Sequence, residues 1–411
     1  MLFAYADETT VDAGSTAVLH VSTGAPPFTV EFFRQGARLE RTDLHFGPFN
    51  AALQNDGAPD RPWDWPRYGL HIPSSARSGA YLAVCRDSAG EHTSTLFIIR
   101  NRRPEARLLY VLPTLTYHAY NIATTDGRTG GDEGASLYSG FKRITMHRPG
   151  GGAGGHTWDE VNADAYDRAS PRQTFAHWDA KAIAWMEASG FLLEFSTDLG
   201  LHRQCEPAGR FRGLVAFGHF EYWTSAIRDA VTQFLDDGGN VALFSGNTCC
   251  FELAYDETAR AIQRVGHWDD EPEARLTGVS YADGGGKWRG ERPPSGYTVW
   301  DREHWVFEGT GLQRGHAFGS EERLLGYECD GSGSATPADF HPLADASISH
   351  WPVQDGSGEL NGAAHATLGI RETAGGFLFT ASTTDWARVL AERHPAVERI
   401  TRNVLERASR P

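Results

Sequence analysis

The chain has 411 residues, 40% of them hydrophobic and 22% charged, which is ample material for a large core and for two to three domains. Its 53 Asp and Glu outnumber 38 Lys and Arg, and the formal charge of -15 argues against nucleic acid and anionic membrane surfaces as partners. A small or neutral ligand suits it better.

Residues 1 to about 103 carry short alternating runs, TAVLHVST, FTVEFFR, GAYLAVCR and STLFIIR, separated by Gly, Pro, Asp and Ser clusters. Alternation of that kind without a helical period predicts an all-β sandwich. GAPDRPWDWPRYGLHIP interrupts it as a long loop, and RNRRPEA reads as a charged linker. The opening MLFAYADETTVDAG has no basic segment followed by an apolar one. No apolar run approaches the roughly 18 residues of a membrane-spanning helix, and the expectation is a cytoplasmic protein.

From residue 107 apolar strands alternate with helices: RLLYVLPT, a helix near 173–189, FLLEFST, GLVAFGHF, a helix near 224–237, then NVALFSG. That order predicts a parallel sheet with helices on both faces. Gly190 is the expected stop of the first helix and Thr224 the expected N-cap of the second. Residues 265–375 read as an irregular excursion, after which GGFLFTAS predicts a strand and Asp385 to Arg407 a helix. RPGGGAGG, 148–155, reads as a flexible loop, and the acid-containing DGRTGGDE, 126–133, as a solvated loop rather than a cation site. Cys85, Cys205, Cys249, Cys250 and Cys329 are an odd, scattered set without a CxxC pair, which disfavours both a disulfide framework and a thiolate zinc site.

Ligands of open α/β sheets bind at the C-terminal ends of strands, and three such ends are rich in polar groups: LPTLTYHAYN, FGHFEYW and FSGNTCC. In an extended chain His219 and Glu221 project together, with Phe220 and Tyr222 on the other side. From spacing alone, a His/Glu pair satisfying each other is the simpler reading. FSGNTCC leaves its strand as a cysteine elbow would, but Asn247 and Thr248 stand where the thiol belongs, and Cys249 and Cys250 arrive too late.

Several segments, in order from about residue 72 to 390, resemble the large subunit of N,N-dimethylformamidase and its relatives. They are SGAYLAVCRDSAGEHTSTLFIIR, PTLTYHAYN, GASLYSGFKRITMHRPG, TDLGLH, GHFEYWTSAIRDAVTQFLDDGGNVALFSGN, GGGKWRGERP, LLGYECDG and ASTTDWA. The resemblance implies an immunoglobulin-like β-sandwich over 1–103 and, over 104–411, a mostly parallel three-layer α/β sheet of glutamine amidotransferase type that has lost its thiol. It further implies a mononuclear ferric ion (Fe3+) held by two tyrosinates and a glutamate. Glu221 matches the carboxylate ligand and Tyr138 one tyrosinate. The other tyrosinate comes from TYHAY, where Tyr120 is favoured and Tyr117 stays open, as a ligand or a catalytic group. His219 and Asn247 match the remaining catalytic positions. Phenolate and carboxylate are hard donors suited to a ferric ion.

The departures are Phe220 where the family usually has proline, and SGN where GGN is usual. Glu328 of GYECDG is either a carboxylate behind the ligands or a turn residue. The implied activity is hydrolysis of the C-N bond of a small amide, on linear amides of the formamide type, with homo-oligomerisation expected from the resemblance alone and the need for a small accessory subunit open. The competing readings are a noncatalytic metabolite binder on the same scaffold and a metal-dependent natural-product tailoring enzyme.

Overall fold

The computed structural model describes residues 1–101, 105–124, 136–157, 166–167, 169–205, 209–268, 272–288, 290–349, 351 and 364–410. The expected junction at 103/104 and the 126–133 acid cluster lie outside these residues.

The N-terminal strands form two sheets. One runs in the order Thr10–Asp12, His92–Arg100, Gly79–Asp87, Phe28–Gln35, Leu39–Phe49, and the other in the order Leu2–Ala6, Thr16–Thr23, Arg67–His71. Alternation drives the packing: Phe28, Val30 and Phe32 turn inward while Thr29 and Glu31 lie nearer solvent. They meet Leu19, Val21, Leu70, Phe97 and Ile99 in one core, where each fully buried large apolar side chain contributes roughly 1.5–3 kcal/mol. The aromatic insert is not all loop, because Arg67–His71 pairs with Thr16–Thr23. Its Trp63 and Trp65 are buried beside Tyr5.

A nine-stranded sheet follows, in the order Leu193–Thr197, Leu108–Leu112, Gly213–His219, Asn240–Gly246, Phe377–Thr380, His365–Glu372, Phe340–Ser347, Tyr297–Val299, Ala317–Phe318. The first five strands are parallel and the remaining pairings antiparallel. This corrects the expectation of a mostly parallel three-layer α/β fold: strands make up 38% of the described residues and helices only 16%, in several mixed sheets. The supposed excursion supplies four of the nine strands, among them Phe340–Ser347, whose burial does not alternate. Antiparallel neighbours also need only a tight turn, as between His365–Glu372 and Phe377–Thr380, where Thr373 and Gly376 close the connection.

The parallel strands are buried on both faces. Leu108, Tyr110 and Leu112 pack on Asp179–Ala188, Trp386–Ala391 and Pro395–Ala408, while Leu109 and Val111 face Ser225–Asp236. Thr224 caps the last of these helices by accepting from the Ile227 N-H at 3.2 Å, and Gly190, at φ 86°, ends Asp179–Ala188. That helix is shorter than expected, since Gln173 takes φ 59° and Phe175 and Trp178 precede its first turn. The expected C-terminal helix is two helices, broken where Arg393 reaches φ 66° and Pro395 starts the second. Two smaller sheets complete the fold: Arg143–Thr145, Ala261–Gly266, Phe251–Asp256 and Tyr222–Trp223 in one, Ser280–Gly286 with Glu328–Gly331 in the other. Among the described residues no helix is long and apolar enough to cross a membrane.

Candidate functional site

Every residue of the strand Gly213–His219 is buried. Gly218 is required near its end: φ is 73°, and a Cβ there would stand 2.6 Å from Trp178. His219 and Glu221 come out on one side, with Nε2 of the first 3.4 Å from Oε2 of the second. Phe220 turns away against Trp223. Tyr222 does not follow it, because the chain starts a new strand paired with Phe251 and its hydroxyl returns to the site.

Tyr120 and Tyr138 arrive from the first strand end. The helix Thr114–Ala119 is capped by Asp198, which accepts from the Thr114 hydroxyl and the Leu115 N-H at 2.5 and 2.7 Å. Its Thr116 hydroxyl accepts the Glu221 and Tyr222 N-H groups at 3.2 and 3.3 Å, fixing the strand end against the helix. Tyr120 follows the helix, and the turn bearing Tyr138 is tied to it by Leu137 N-H donating to Ala119 O at 3.0 Å. The two phenol rings stack at 4.2 Å. Tyr138 donates to Glu221 Oε1 at 2.8 Å and accepts from the Tyr222 hydroxyl at 2.7 Å.

Tyr117 is elsewhere. It lies in the core on the opposite face of the sheet, where it and Tyr110 both donate to the buried carboxylate of Asp179. The structure therefore brings Tyr120, Tyr138, Glu221, His219 and Asn247 together and leaves Tyr117 out.

His219 is held on both nitrogens. Gln173 donates through Nε2 to the Tyr327 hydroxyl, which turns its Oε1 to His219 Nδ1 at 2.9 Å. An amide oxygen only accepts, so Nδ1 carries a proton. Nε2 then faces Glu328 Oε2 at 2.7 Å and the Asn247 amide at 3.5 Å. Asn247 occupies the elbow directly after Asn240–Gly246 with φ 51°, and Asp330 pins it by accepting the Asn247 and Thr248 N-H groups at 2.9 and 3.3 Å.

Burial, reinforced by Glu328, pushes the Glu221 carboxyl up to about 7 against the lowering effect of His219 and the phenols. Burial and the Glu221 charge hold the Tyr120 and Tyr138 hydroxyls well above the usual phenol range. Burial likewise pushes the Cys249 and Cys250 thiols up, away from nucleophilic thiolate.

Glu328 is no exposed turn; it is 1% exposed and begins the strand Glu328–Gly331. Two residues apart on one strand, Glu328 reaches His219 and Asp330 reaches the elbow, a period-two signal that GYECDG carried. Gln173, Tyr327 and Arg264 had no such signal, because each joins the site through tertiary packing.

Among the described residues no group of three His, Cys, Asp or Glu could hold a metal ion, so an ion here needs the phenols. Tyr120, Tyr138 and Glu221 provide a hard oxygen set, and Glu221 Oε2 is buried without a hydrogen-bond partner. These residues fit a ferric ion. Residues 29–399, nearly the whole chain, match the family model described as N,N-dimethylformamidase beta subunit-like, C-terminal. No curated protein matches the chain.

Proposed function

The chain belongs to the N,N-dimethylformamidase beta subunit-like family, and from that membership we propose that it is an iron-dependent hydrolase of the C-N bond of small linear amides of the formamide type. The observation that carries this reading is the meeting of the Tyr120, Tyr138 and Glu221 side chains beside a buried His219–Glu328 pair. Tyr120, Tyr138 and Glu221 would hold the ferric ion, which when bound polarises a carbonyl and acidifies a water.

The chain's own groups supply the rest. With Nδ1 protonated toward Gln173, His219 exchanges a proton at Nε2, and Glu328 at 2.7 Å takes up or returns the charge. The pair can accept a proton from an attacking water and pass it to the departing amine nitrogen. The Asn247 amide, 3.5 Å from the same Nε2, is placed to donate to the oxygen that gains charge. Asp330 keeps the elbow in that conformation, and the buried surroundings strengthen each polar contact. The family's beta-subunit description supports a second kind of subunit, or further copies of this chain, as partners.

Purified protein tested on formamides and acetamides, with iron measured in the same sample, is expected to turn over a formamide. His219→Ala and Glu328→Gln should each lower kcat by roughly 100-fold or more while remaining folded. Iron retained in both Glu221→Ala and Tyr138→Phe would remove the ligand assignment. A colourless, iron-free wild type without turnover would favour the noncatalytic binder.

A further inference from the structure

A half-buried guanidinium stands behind Tyr138. Arg264, on Ala261–Gly266, has its guanidinium carbon 4.9 Å from the Tyr138 ring centre, 5.6 Å from that of Tyr222 and 4.7 Å from that of Phe251. Its Nη2 donates to the Tyr222 hydroxyl at 2.7 Å and to Leu137 O at 3.1 Å. The Tyr222 hydroxyl in turn lies 2.7 Å from that of Tyr138, which lies 2.8 Å from Glu221 Oε1.

The direction of this chain is forced. A guanidinium has donors and no acceptor, and an ionised carboxylate only accepts, so the Tyr222 oxygen accepts from Arg264, Tyr138 donates to Glu221, and the Tyr222 proton points at Tyr138. The Tyr138 oxygen accepts that proton and its own points at Glu221. Every hydroxyl is thus polarised the same way, from a fixed positive end to the carboxylate, and successive bonds strengthen one another. Arg264 also holds the Tyr138 turn through Leu137 O, so one side chain sets both the position of the phenol and the hydrogen bond that its oxygen receives.

We infer that Arg264 and Tyr222 are positioning residues that tune Tyr138 as a metal ligand, Tyr222 supplying a hydrogen bond that the Tyr138 oxygen keeps when its own proton has been displaced by the ion. The inference rests on the proposed reading of Tyr138 as a ligand. A hydrogen bond into a phenolate lowers the energy of its lone-pair electrons, so phenolate-to-iron charge transfer then needs more energy. Partners behind a ligand also govern affinity, their loss typically weakening metal binding about 10- to 100-fold.

The test uses the full-length protein, purified and titrated with ferric ion, and reads the visible absorption maximum and the iron affinity of wild type, Tyr222→Phe, Arg264→Met and Arg264→Lys. Tyr222→Phe keeps the ring packing and removes only the donor; it should move the band to longer wavelength and weaken iron binding about 10-fold or more. Arg264→Met should do the same, and Arg264→Lys, which keeps a cationic donor, should stay nearer wild type. The two Arg264 variants carry the test should Tyr222→Phe fail to fold. Folded variants with the wild-type band and affinity overturn the inference alone. A wild type that binds no iron overturns the parent reading and the inference with it.

Discussion

Asp179 turns the placement of Tyr117 into a measurable pH dependence of stability. The carboxyl is fully buried, accepts from Tyr110 at 2.8 Å and from Tyr117, and burial pushes its pKa from 3.8 up to about 7. Between about pH 4 and pH 7 the unfolded carboxyl is ionised while the folded one keeps its proton. The folded state therefore binds more protons, and this stabilising contribution, complete below about pH 4, is lost as pH rises through about 7. A shift of about three pKa units at 1.36 kcal/mol each sets the loss at up to about 4 kcal/mol. With unfolding entropy of about 2.1 cal/mol/K per residue, that corresponds to about 5 °C in Tm for a chain of 411 residues. Asp179→Asn cannot titrate, so the Tm of the variant minus that of the wild type, followed by calorimetry, should rise by about 5 °C from pH 4 to pH 8. Titrating groups that do not interact with Asp179 cancel in this difference. A difference that stays flat across that range would refute the argument, and with it the assignment of Tyr117 to a structural pair with Asp179.

The same placement separates the two tyrosines of TYHAY: Tyr117→Phe should keep turnover and iron while losing about 1–3 kcal/mol of stability by chemical denaturation, whereas Tyr120→Phe should lower the iron content measured by metal analysis. Gly218→Val should destabilise the chain by about 3 kcal/mol or more, because a Cβ meets Trp178 at a left-handed backbone position; the urea midpoint reads it. Cys250→Ala should keep formamide turnover within a few-fold in a steady-state assay, since burial keeps that thiol protonated.

The strands that carry the site were legible because they are continuous apolar runs that end abruptly in polar groups: RLLYVLPT, GLVAFGHF and NVALFSG all became buried parallel strands. The pairing of His219 with Glu221 followed from the period of two, and the cap at Thr224 from its chemistry. What stayed hidden depended on long-range pairing. Phe340–Ser347 and Tyr297–Val299 have no strong pattern of their own and become strands only beside His365–Glu372 and each other. Tyr222 departs from the side expected of it because nothing local announces that the chain changes sheets after Glu221. Gln173 reaches His219 from 46 residues away, and Arg264 reaches Tyr222 from 42. No local pattern contains either distance.

Tyr120, Tyr138 and Glu221 are proposed to hold one ferric ion among their oxygens. Anomalous diffraction from crystals of the iron-loaded protein, collected on either side of the iron absorption edge, tests it most directly. A single strong peak bounded by those three side chains, with His219 beside it, is expected. A peak at another place, or none in crystals grown from protein shown to contain iron, would contradict it.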